Sequence, residues 1–164
     1  MKKRRFFALF LVLGLLVSLL SVPASAFEEI DVDARAALLV EKETGEILYE
    51  KNAHEKNYPA SITKLTVALL VFEAIDAGQL SLDQPITAHE SAFEGLSIYG
   101  STAGIKVGEV LTVEQLLQCM LIVSANEACN ILAEAVCGEG NISQFVQRMN
   151  ERAAALGCEN KHYV

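Results

Sequence analysis

The sequence predicts a mixed α/β fold of the α+β type, rich in helix and opening with an antiparallel β-hairpin. Two β-prone runs, residues 36–41 and 46–50, flank a turn that contains Gly45. Apolar segments with helix-type boundaries follow, beginning near residues 61, 113, 127 and 141. Between the first two lies the stretch 81–111, whose four glycines indicate irregular, partly helical structure.

The N-terminal segment, residues 1–26, predicts an export signal. Four basic residues precede an apolar run from Phe6 to Leu20, and Ala24-Ser25-Ala26 has the small-x-small pattern of a signal-peptidase site. Cleavage is expected after Ala26. A retained membrane anchor is the alternative, although the apolar run is short for a full span. Either way, the protein is expected to work outside the cytoplasm.

The mature chain is predicted to be one strongly acidic domain. The whole sequence has 13 Lys+Arg against 21 Asp+Glu, and removal of residues 1–26 takes away four basic and no acidic residues. Nine basic residues then face 21 acidic ones, a formal charge of about −12, which argues against nucleic acid or anionic lipid as the main partner. Residues 27–164 suffice for one domain of ordinary size.

The four cysteines are widely spaced and contain no Cys-x-x-Cys, so a metal site is not expected. Cys129 and Cys137 should share one helix, about 12 Å apart along its axis, which is too far for a disulfide. Most of the four are expected to be small buried hydrophobes. The sequence leaves open whether another pair closes; the four are Cys119, Cys129, Cys137 and Cys158.

The helix predicted to begin at Ser61 is expected to be the centre of the fold. It is apolar on nearly every side from Leu65 to Ile75, so we expect it to be buried all round and to cover the hairpin. Gly78 is its expected stop signal.

Three further helices are predicted downstream. Thr112 and Gln115 fit a capping box that opens a helix over 113–123, whose apolar end is expected to enter the core. The other two helices cover 127–136 and 141–156, with Gly157 just past the last.

Ser61 and Lys64 are the first candidate catalytic pair. Their spacing places both side chains on one helical face, and a serine nucleophile needs a nearby base such as a neutral lysine amine. The helix N-terminus also favours developing negative charge. The alternative is a capping serine followed by a solvated lysine.

Ser124-Ala125-Asn126 is a short polar break between two predicted helices. It can project a hydroxyl and a carboxamide into a cleft, or it can simply cap the helix that follows. The segment Tyr99-Gly100-Ser101 is a candidate rim of that cleft, with an ordinary surface loop as the alternative. His54 and His89 lack metal-ligand spacing and are predicted to be surface residues.

Together these residues resemble a known family. Residues 59–64 (Pro-Ala-Ser-Ile-Thr-Lys), 121–126 (Leu-Ile-Val-Ser-Ala-Asn) and the hairpin sequence 44–49 are similar to serine-type D-alanyl-D-alanine carboxypeptidases. These are low-molecular-mass penicillin-binding proteins of the β-lactamase/transpeptidase-like superfamily. The similarity covers nearly the whole mature chain, in the family's order and at about its usual motif separation. The resemblance implies that the chain has the N-terminal part of the β-lactamase/transpeptidase-like fold.

The resemblance implies a role for each motif residue. Ser61 would be the acylated nucleophile and Lys64 its base, while Ser124 would relay a proton to the leaving D-alanine and Asn126 would bind the substrate backbone. The implied reaction removes the terminal D-alanine of a peptidoglycan stem pentapeptide through an acyl-enzyme, with no metal or organic cofactor. β-Lactam antibiotics would acylate the same serine. Membrane contact would come only through the signal peptide or a C-terminal anchor.

The sequence departs from the family pattern at two points. Ala125 stands where these carboxypeptidases usually have Gly and class A β-lactamases have Asp, and a small residue fits the former better. No Lys-Thr-Gly or Lys-Ser-Gly follows Ser124, although in the family that motif holds the substrate carboxylate beside half of the oxyanion hole.

From the missing motif we expect residues 27–164 to be a truncated N-terminal portion of the penicillin-binding peptidase domain, lacking the later sheet strands. Such a portion should be poorly stable and nearly inactive alone. Its hairpin would keep an unpaired edge, and part of its apolar helix surface would face water.

Two other functions remain open. A class A β-lactamase-like hydrolase would need a deacylating glutamate after the second motif, but none of the nearby carboxylates lies in a recognisable loop signature. A non-catalytic wall-binding module would keep the scaffold without the chemistry. The nearby carboxylates are Glu127, Glu134, Glu139 and Glu151.

Overall fold

The computed structural model describes residues 31–158 and 160–164. They belong to two units, Met1–Glu55 and Lys56–Val164. The predicted signal peptide lies outside the described residues. Within the described ranges, no helix has the length and apolar character needed to cross a bilayer.

The first unit contains the predicted hairpin, which is confirmed. Strand β1 (Ala37–Val40) pairs antiparallel with β2 (Ile47–Lys51), with an irregularity in register near the turn. In the turn, the Glu41 carboxylate accepts hydrogen bonds from the amide and hydroxyl of Thr44. Gly45 has φ of 75°, a left-handed conformation that glycine adopts without a steric penalty.

The hairpin exposes apolar side chains from both strands. Within the described residues the sheet has two strands, so each strand has a free edge there. This agrees with the expected unpaired edge. The large apolar side chains that are more than two-fifths exposed are Leu38, Leu39, Val40, Ile47 and Leu48.

The second unit is mostly helical. A 3₁₀ turn at Ala60–Thr63 leads into helix α1, and three more helices follow a segment that contains two short strands. The elements are α1 (Lys64–Asp76), β3 (Pro85–Thr87), β4 (Val110–Thr112), α2 (Val113–Ile122), α3 (Asn126–Cys137) and α4 (Ile142–Ala155).

The stretch 81–111 is predicted to be irregular and partly helical, and the strands at its two ends are what that prediction missed. Strands β3 and β4 pair antiparallel there, with Pro85 opposite Thr112 and Thr87 opposite Val110. Each strand is only three residues long, too short to show an alternating pattern in sequence. Between them the chain is irregular, apart from a 3₁₀ turn at Glu90–Phe93.

The predicted boundaries of the last three helices agree with the structure to within one residue. The capping box is confirmed: the Gln115 amide donates to Thr112 Oγ1 at 3.2 Å, and the Thr112 amide donates to Gln115 Oε1 at 2.9 Å. After α4, Gly157 has φ of 81°, as expected of a glycine just past a helix end.

Helix α3, not α1, lies at the centre of this unit. It packs against α1, α2 and α4, whereas α1 has one well-buried face. Buried residues of all four helices form one hydrophobic core. The largest side chains that are almost completely buried are Phe145, Leu116, Met120, Ile131, Leu132, Val71 and Val113.

Two expectations about burial were wrong. Helix α1 is not buried all round, because α2, α3 and α4 cover only one side and leave Leu65 62% and Phe72 45% exposed. The apolar end of α2 does not enter the core either: Met120 is buried, but Ile122 is 78% exposed. The broader expectation that some apolar helix surface faces water is confirmed.

The cysteines and histidines form no metal centre within residues 31–158 and 160–164. All four cysteines are free thiols; Cys158 is exposed and the other three are half-buried. His54 is exposed, and half-exposed His89 lies 3.6 Å from the Glu139 carboxylate.

Candidate active site

Ser61 lies in the 3₁₀ turn that leads into α1, and Lys64 is the first residue of the helix. The sequence predicted one continuous α-helix from Ser61, so the structure corrects its start. Ala60 has φ of 48°, which is uncommon for a residue with a Cβ atom. Such local strain often occurs at functional sites, and here it immediately precedes the candidate nucleophile.

Ser61 forms a close hydroxyl pair with Ser124. The Ser124 hydroxyl donates to Ser61 Oγ at 2.8 Å across 63 positions of sequence. Ser124 has φ of 62° in the break between α2 and α3, so it too is in the left-handed region. Ser61 remains exposed to solvent and is therefore open to a substrate.

Lys64 forms the second pair, with Asn126. Its Nζ donates to Asn126 Oδ1 at 2.8 Å in a half-buried environment. Asn126 is the first residue of α3, and Ala125 is the capping residue, with no side-chain capping bond. The alternative in which Ser124 or Asn126 only caps this helix is therefore wrong.

All four predicted site residues meet in one place. The two pairs belong to elements that pack together at the N-terminal ends of α1 and α3. A cavity of about 480 Å³ adjoins them, lined on one side by Ser61, Lys64 and Asn126 and on another by apolar side chains of α4 such as Phe145. A hydroxyl, an amine and a carboxamide thus border a space that can hold a ligand.

Ala125 has no exposed surface, and its amide donates to the Cys119 carbonyl at 3.0 Å. The turn therefore places Asn126 at the cavity and the Ser124 hydroxyl against Ser61, while the residue between them packs into the core. A larger side chain at this position would have to displace core atoms. This packing is compatible with a small residue in the motif.

Cys129 is a residue of this cavity that the sequence did not single out. It lies on α3 and lines the cavity. Burial raises the pKa of the Cys129 thiol to about 11, and the positive charge of Lys64 offsets only part of this effect. Its helical spacing of three from Asn126 is the signal that could have placed it here.

Glu127 is a second residue of this region to which the sequence assigned no role, beyond naming it among the carboxylates after the second motif. It is 3% exposed, and its Oε1 accepts a 2.6 Å hydrogen bond from the Thr102 hydroxyl. Burial by itself would raise the pKa of this carboxyl, but hydrogen bonds from Thr102 and nearby backbone amides outweigh burial and lower it. The signal in sequence was an acidic residue on the apolar face of a helix, spaced i, i+4, i+7 with Ile131 and Glu134.

The candidate rim segment 99–101 lies against the second motif. Tyr99 is 92% exposed, whereas Gly100 and Ser101 line a further cavity of about 260 Å³ together with Asn126 and Glu127. The Asn126 amide donates to the Ser101 carbonyl at 2.9 Å. The segment is therefore more than an ordinary surface loop.

Comparison with known proteins gives one family over most of the chain. The profile of peptidase S11, D-alanyl-D-alanine carboxypeptidase, matches residues 23–164. D-alanyl-D-alanine carboxypeptidase DacF of Bacillus subtilis (strain 168) is 34% identical over 155 residues, which is 90% of this chain and 39% of the relative. The chain thus spans about two-fifths of that relative's length.

Solved structures give the same result. The crystal structure of D-alanyl-D-alanine carboxypeptidase DacD from Francisella tularensis superposes with a TM-score of 0.74 and 35% identity, over 84% of this chain and 32% of that one. Penicillin-binding protein D2 from Listeria monocytogenes, in its ampicillin-bound form, superposes with a TM-score of 0.69 and 30% identity. That match covers 84% of this chain and 53% of the Listeria protein.

Proposed function

The chain belongs to the D-alanyl-D-alanine carboxypeptidase family, peptidase S11, and from this premise we propose that it supplies the nucleophile and the proton-transfer groups of an exported serine D,D-carboxypeptidase. One observation carries the proposal: the Ser61–Ser124 and Lys64–Asn126 pairs, each at 2.8 Å, meet beside one cavity.

The first step is acylation of Ser61. Its hydroxyl oxygen attacks the carbonyl carbon between the last two D-alanines of a stem pentapeptide, and Lys64, as a neutral amine, takes the hydroxyl proton. Asn126 supports this step from two sides, because its Oδ1 holds the amine while its amide group can donate to the substrate backbone.

The second step is departure of D-alanine and hydrolysis of the ester. The Ser124 hydroxyl lies 2.8 Å from Ser61 Oγ, close enough to pass a proton to the leaving amine as the peptide bond breaks. Water then attacks the acyl-enzyme, which releases the shortened peptide and returns the proton to Ser61. None of these steps requires a metal or an organic cofactor.

β-Lactams are the proposed inhibitors of the same serine. The Listeria protein that superposes on this chain is described in an ampicillin-bound form, which supports the idea that this fold accepts such ligands. The lactam carbonyl would take the place of the D-alanyl-D-alanine carbonyl, so that the antibiotic would esterify Ser61.

The setting proposed for this reaction is the outer side of the cytoplasmic membrane. The predicted signal peptide at residues 1–26 supports export to the peptidoglycan. Residues 27–164 are proposed as the N-terminal portion of the peptidase domain. The substrate carboxylate contact and the rest of the oxyanion hole would come from the complete protein, so the activity is proposed for that protein.

A fluorescent penicillin tests the proposal. We expect the complete protein to gain one covalent adduct, which peptide mass spectrometry places on Ser61, and to release D-alanine from a diacyl-Lys-D-Ala-D-Ala peptide. Ser61→Ala should abolish both signals. Ser143→Ala is the matched control, because Ser143 is an exposed serine of α4 that does not line the cavity and should retain both.

The same experiment separates the alternatives. A β-lactamase-like hydrolase would turn the penicillin over rapidly and leave little adduct. A wall-binding module would form no adduct although its circular dichroism shows a folded protein. Either result would overturn the carboxypeptidase proposal.

A further inference from the structure

The segment Ser97–Gly104, called the strap below, crosses the N-terminal end of α3. Its backbone meets the second motif directly, because the Asn126 amide donates to the Ser101 carbonyl at 2.9 Å. The strap therefore contacts the residue that holds the Lys64 amine. Two residues determine how closely the strap approaches α3: Gly100 on the strap and Glu127 on the helix.

The feature on the strap is Gly100. A methyl group at this position would lie 2.6 Å from Asn126 Nδ2 and 3.1 Å from the Ser97 carbonyl, both closer than ordinary contact. The Asn126 side chain would have to move to accept it. Because the other end of that carboxamide accepts the Lys64 hydrogen bond, such a movement would also displace the amine.

The feature on α3 is Glu127, one residue after Asn126. Its Oε1 accepts hydrogen bonds from Thr102 Oγ1 at 2.6 Å, the Ala103 amide at 2.7 Å and the Gly104 amide at 3.1 Å. At 3% exposure, the carboxylate needs these donors to compensate for lost hydration. Three donors on one buried oxygen tie the end of the strap to the helix that carries Asn126.

We propose that Glu127 and Gly100 are positioning residues for acylation: together they hold the strap so that the Asn126 carboxamide stays aligned with the Lys64 amine. This inference rests on the proposed function. Neither residue forms a described hydrogen bond with Ser61, whose hydroxyl pairs with Ser124. Their effect passes through Asn126, and misplacement of catalytic groups by about 1 Å can lower a rate about a hundredfold.

Glu127→Gln, made in the complete protein, tests the three hydrogen bonds that tie the strap to Glu127, called the clamp below. Gln keeps the size of the side chain but removes the charge, so the strap should loosen. We expect the acylation rate constant for a fluorescent penicillin to fall about ten- to a hundredfold, while the dissociation constant of the non-covalent complex changes less than about twofold.

Glu134→Gln is the matched control for this variant. Glu134 is also buried on α3, at 5% exposure, but it accepts from the Gly140 amide at the opposite end of the helix. It should lose stability without losing acylation rate. Equal acylation rates in Glu127→Gln and Glu134→Gln would overturn the proposal.

Gly100→Ala and Gly108→Ala form a second comparison, in which acylation rate and Tm are expected to change in opposite variants. Gly100 lacks the left-handed φ, so alanine there causes a collision rather than backbone strain, and acylation should fall with little change in Tm. Gly108 has φ of 82° and open space around it, so alanine there should lower Tm but leave acylation unchanged. The reverse pattern would refute a positioning role for Gly100.

A third comparison separates failure of this inference from failure of the proposed function. Hydrogen exchange at the Ala103 and Gly104 amides measures whether their hydrogen bonds to Glu127 are intact, whether or not the serine reacts. Glu127→Gln and Thr102→Val should lose protection there, while Thr102→Ser, which keeps the hydroxyl, should retain both protection and acylation rate. If wild type forms no adduct, the proposed function fails; if exchange is unchanged in Glu127→Gln, the clamp fails.

Discussion

The Lys64 amine donates a 2.8 Å hydrogen bond to the side-chain carbonyl of Asn126, 62 positions later in the chain. The two residues begin helices α1 and α3, so the packing of these helices sets the position of the amine. In the proposed reaction Lys64 must release a proton to act as a base. A neutral carboxamide orients the amine without adding a negative charge that would hold the proton.

Asn126→Asp should therefore slow acylation at neutral pH by about ten- to a hundredfold. The new carboxylate would pair with the amine and favour its charged form, so part of the rate should return as the pH is raised. Acylation by a fluorescent penicillin, followed from about pH 6 to about pH 10, is the measurement. Asn141→Asp, at the exposed residue just before α4, is the control. A pH profile identical to wild type would contradict the prediction.

Ser124→Gly and Ser124→Ala should distinguish the effect of losing the hydroxyl on acylation from the effect of the left-handed backbone on stability. Both lose the proposed proton relay, so acylation should fall by about a hundredfold or more in each. Because Ser124 has φ of 62°, alanine keeps the left-handed strain while glycine relieves it, although glycine also loosens the unfolded chain. The glycine variant should be more stable than the alanine variant by about 0.5–1 kcal/mol in urea unfolding. A glycine variant that acylates normally would exclude the hydroxyl from the reaction.

The Glu127 carboxylate should make stability depend on pH. Burial would raise its pKa, but hydrogen bonds from Thr102 and the backbone lower it below the ordinary value of 4.5. A folded-state pKa below the unfolded value gives stability that is present above about pH 4.5 and lost as the pH falls through the folded value. The difference in unfolding free energy between wild type and Glu127→Gln should therefore shrink from about pH 7 to about pH 3. A difference independent of pH would contradict this sign.

Cys129 should resist alkylation in the folded protein. With its pKa raised to about 11 by burial, only about 0.1% of the thiol is ionised at about pH 8. Iodoacetamide should label exposed Cys158 first and Cys129 much later, and urea should remove the difference. Quantitative peptide mass spectrometry gives both rates. Similar rates in the folded state would show that the cavity wall opens readily.

The four site residues could be predicted because the sequence carries them in two short motifs at fixed spacing. The turn before α1 restricts the orientation of Ser61 and Lys64, and the break before α3 restricts that of Ser124 and Asn126. The last three helices could be predicted for a related reason. Their ends carry local signals, such as the capping box at Thr112, that act within one turn.

The remaining features depend on contacts that no local pattern records. Strands β3 and β4 are three residues each and exist through their mutual pairing. The burial of Glu127 depends on donors from a segment 23 to 25 positions earlier. The exposure of Leu65 and Ile122 depends on which helix faces are covered, and apolar composition alone predicted burial for both.

The two-stranded hairpin has a practical consequence for handling the polypeptide. In the part of the chain that the structure describes, both strands have an unpaired edge beside exposed aliphatic side chains such as Leu38 and Ile47, a combination that favours pairing with strands of other molecules. Preparations of residues 27–164 should therefore self-associate as concentration rises. Leu38→Lys should reduce this self-association, because a charge on the strand disfavours pairing with another molecule, and it should leave the Ser61–Ser124 and Lys64–Asn126 pairs unchanged.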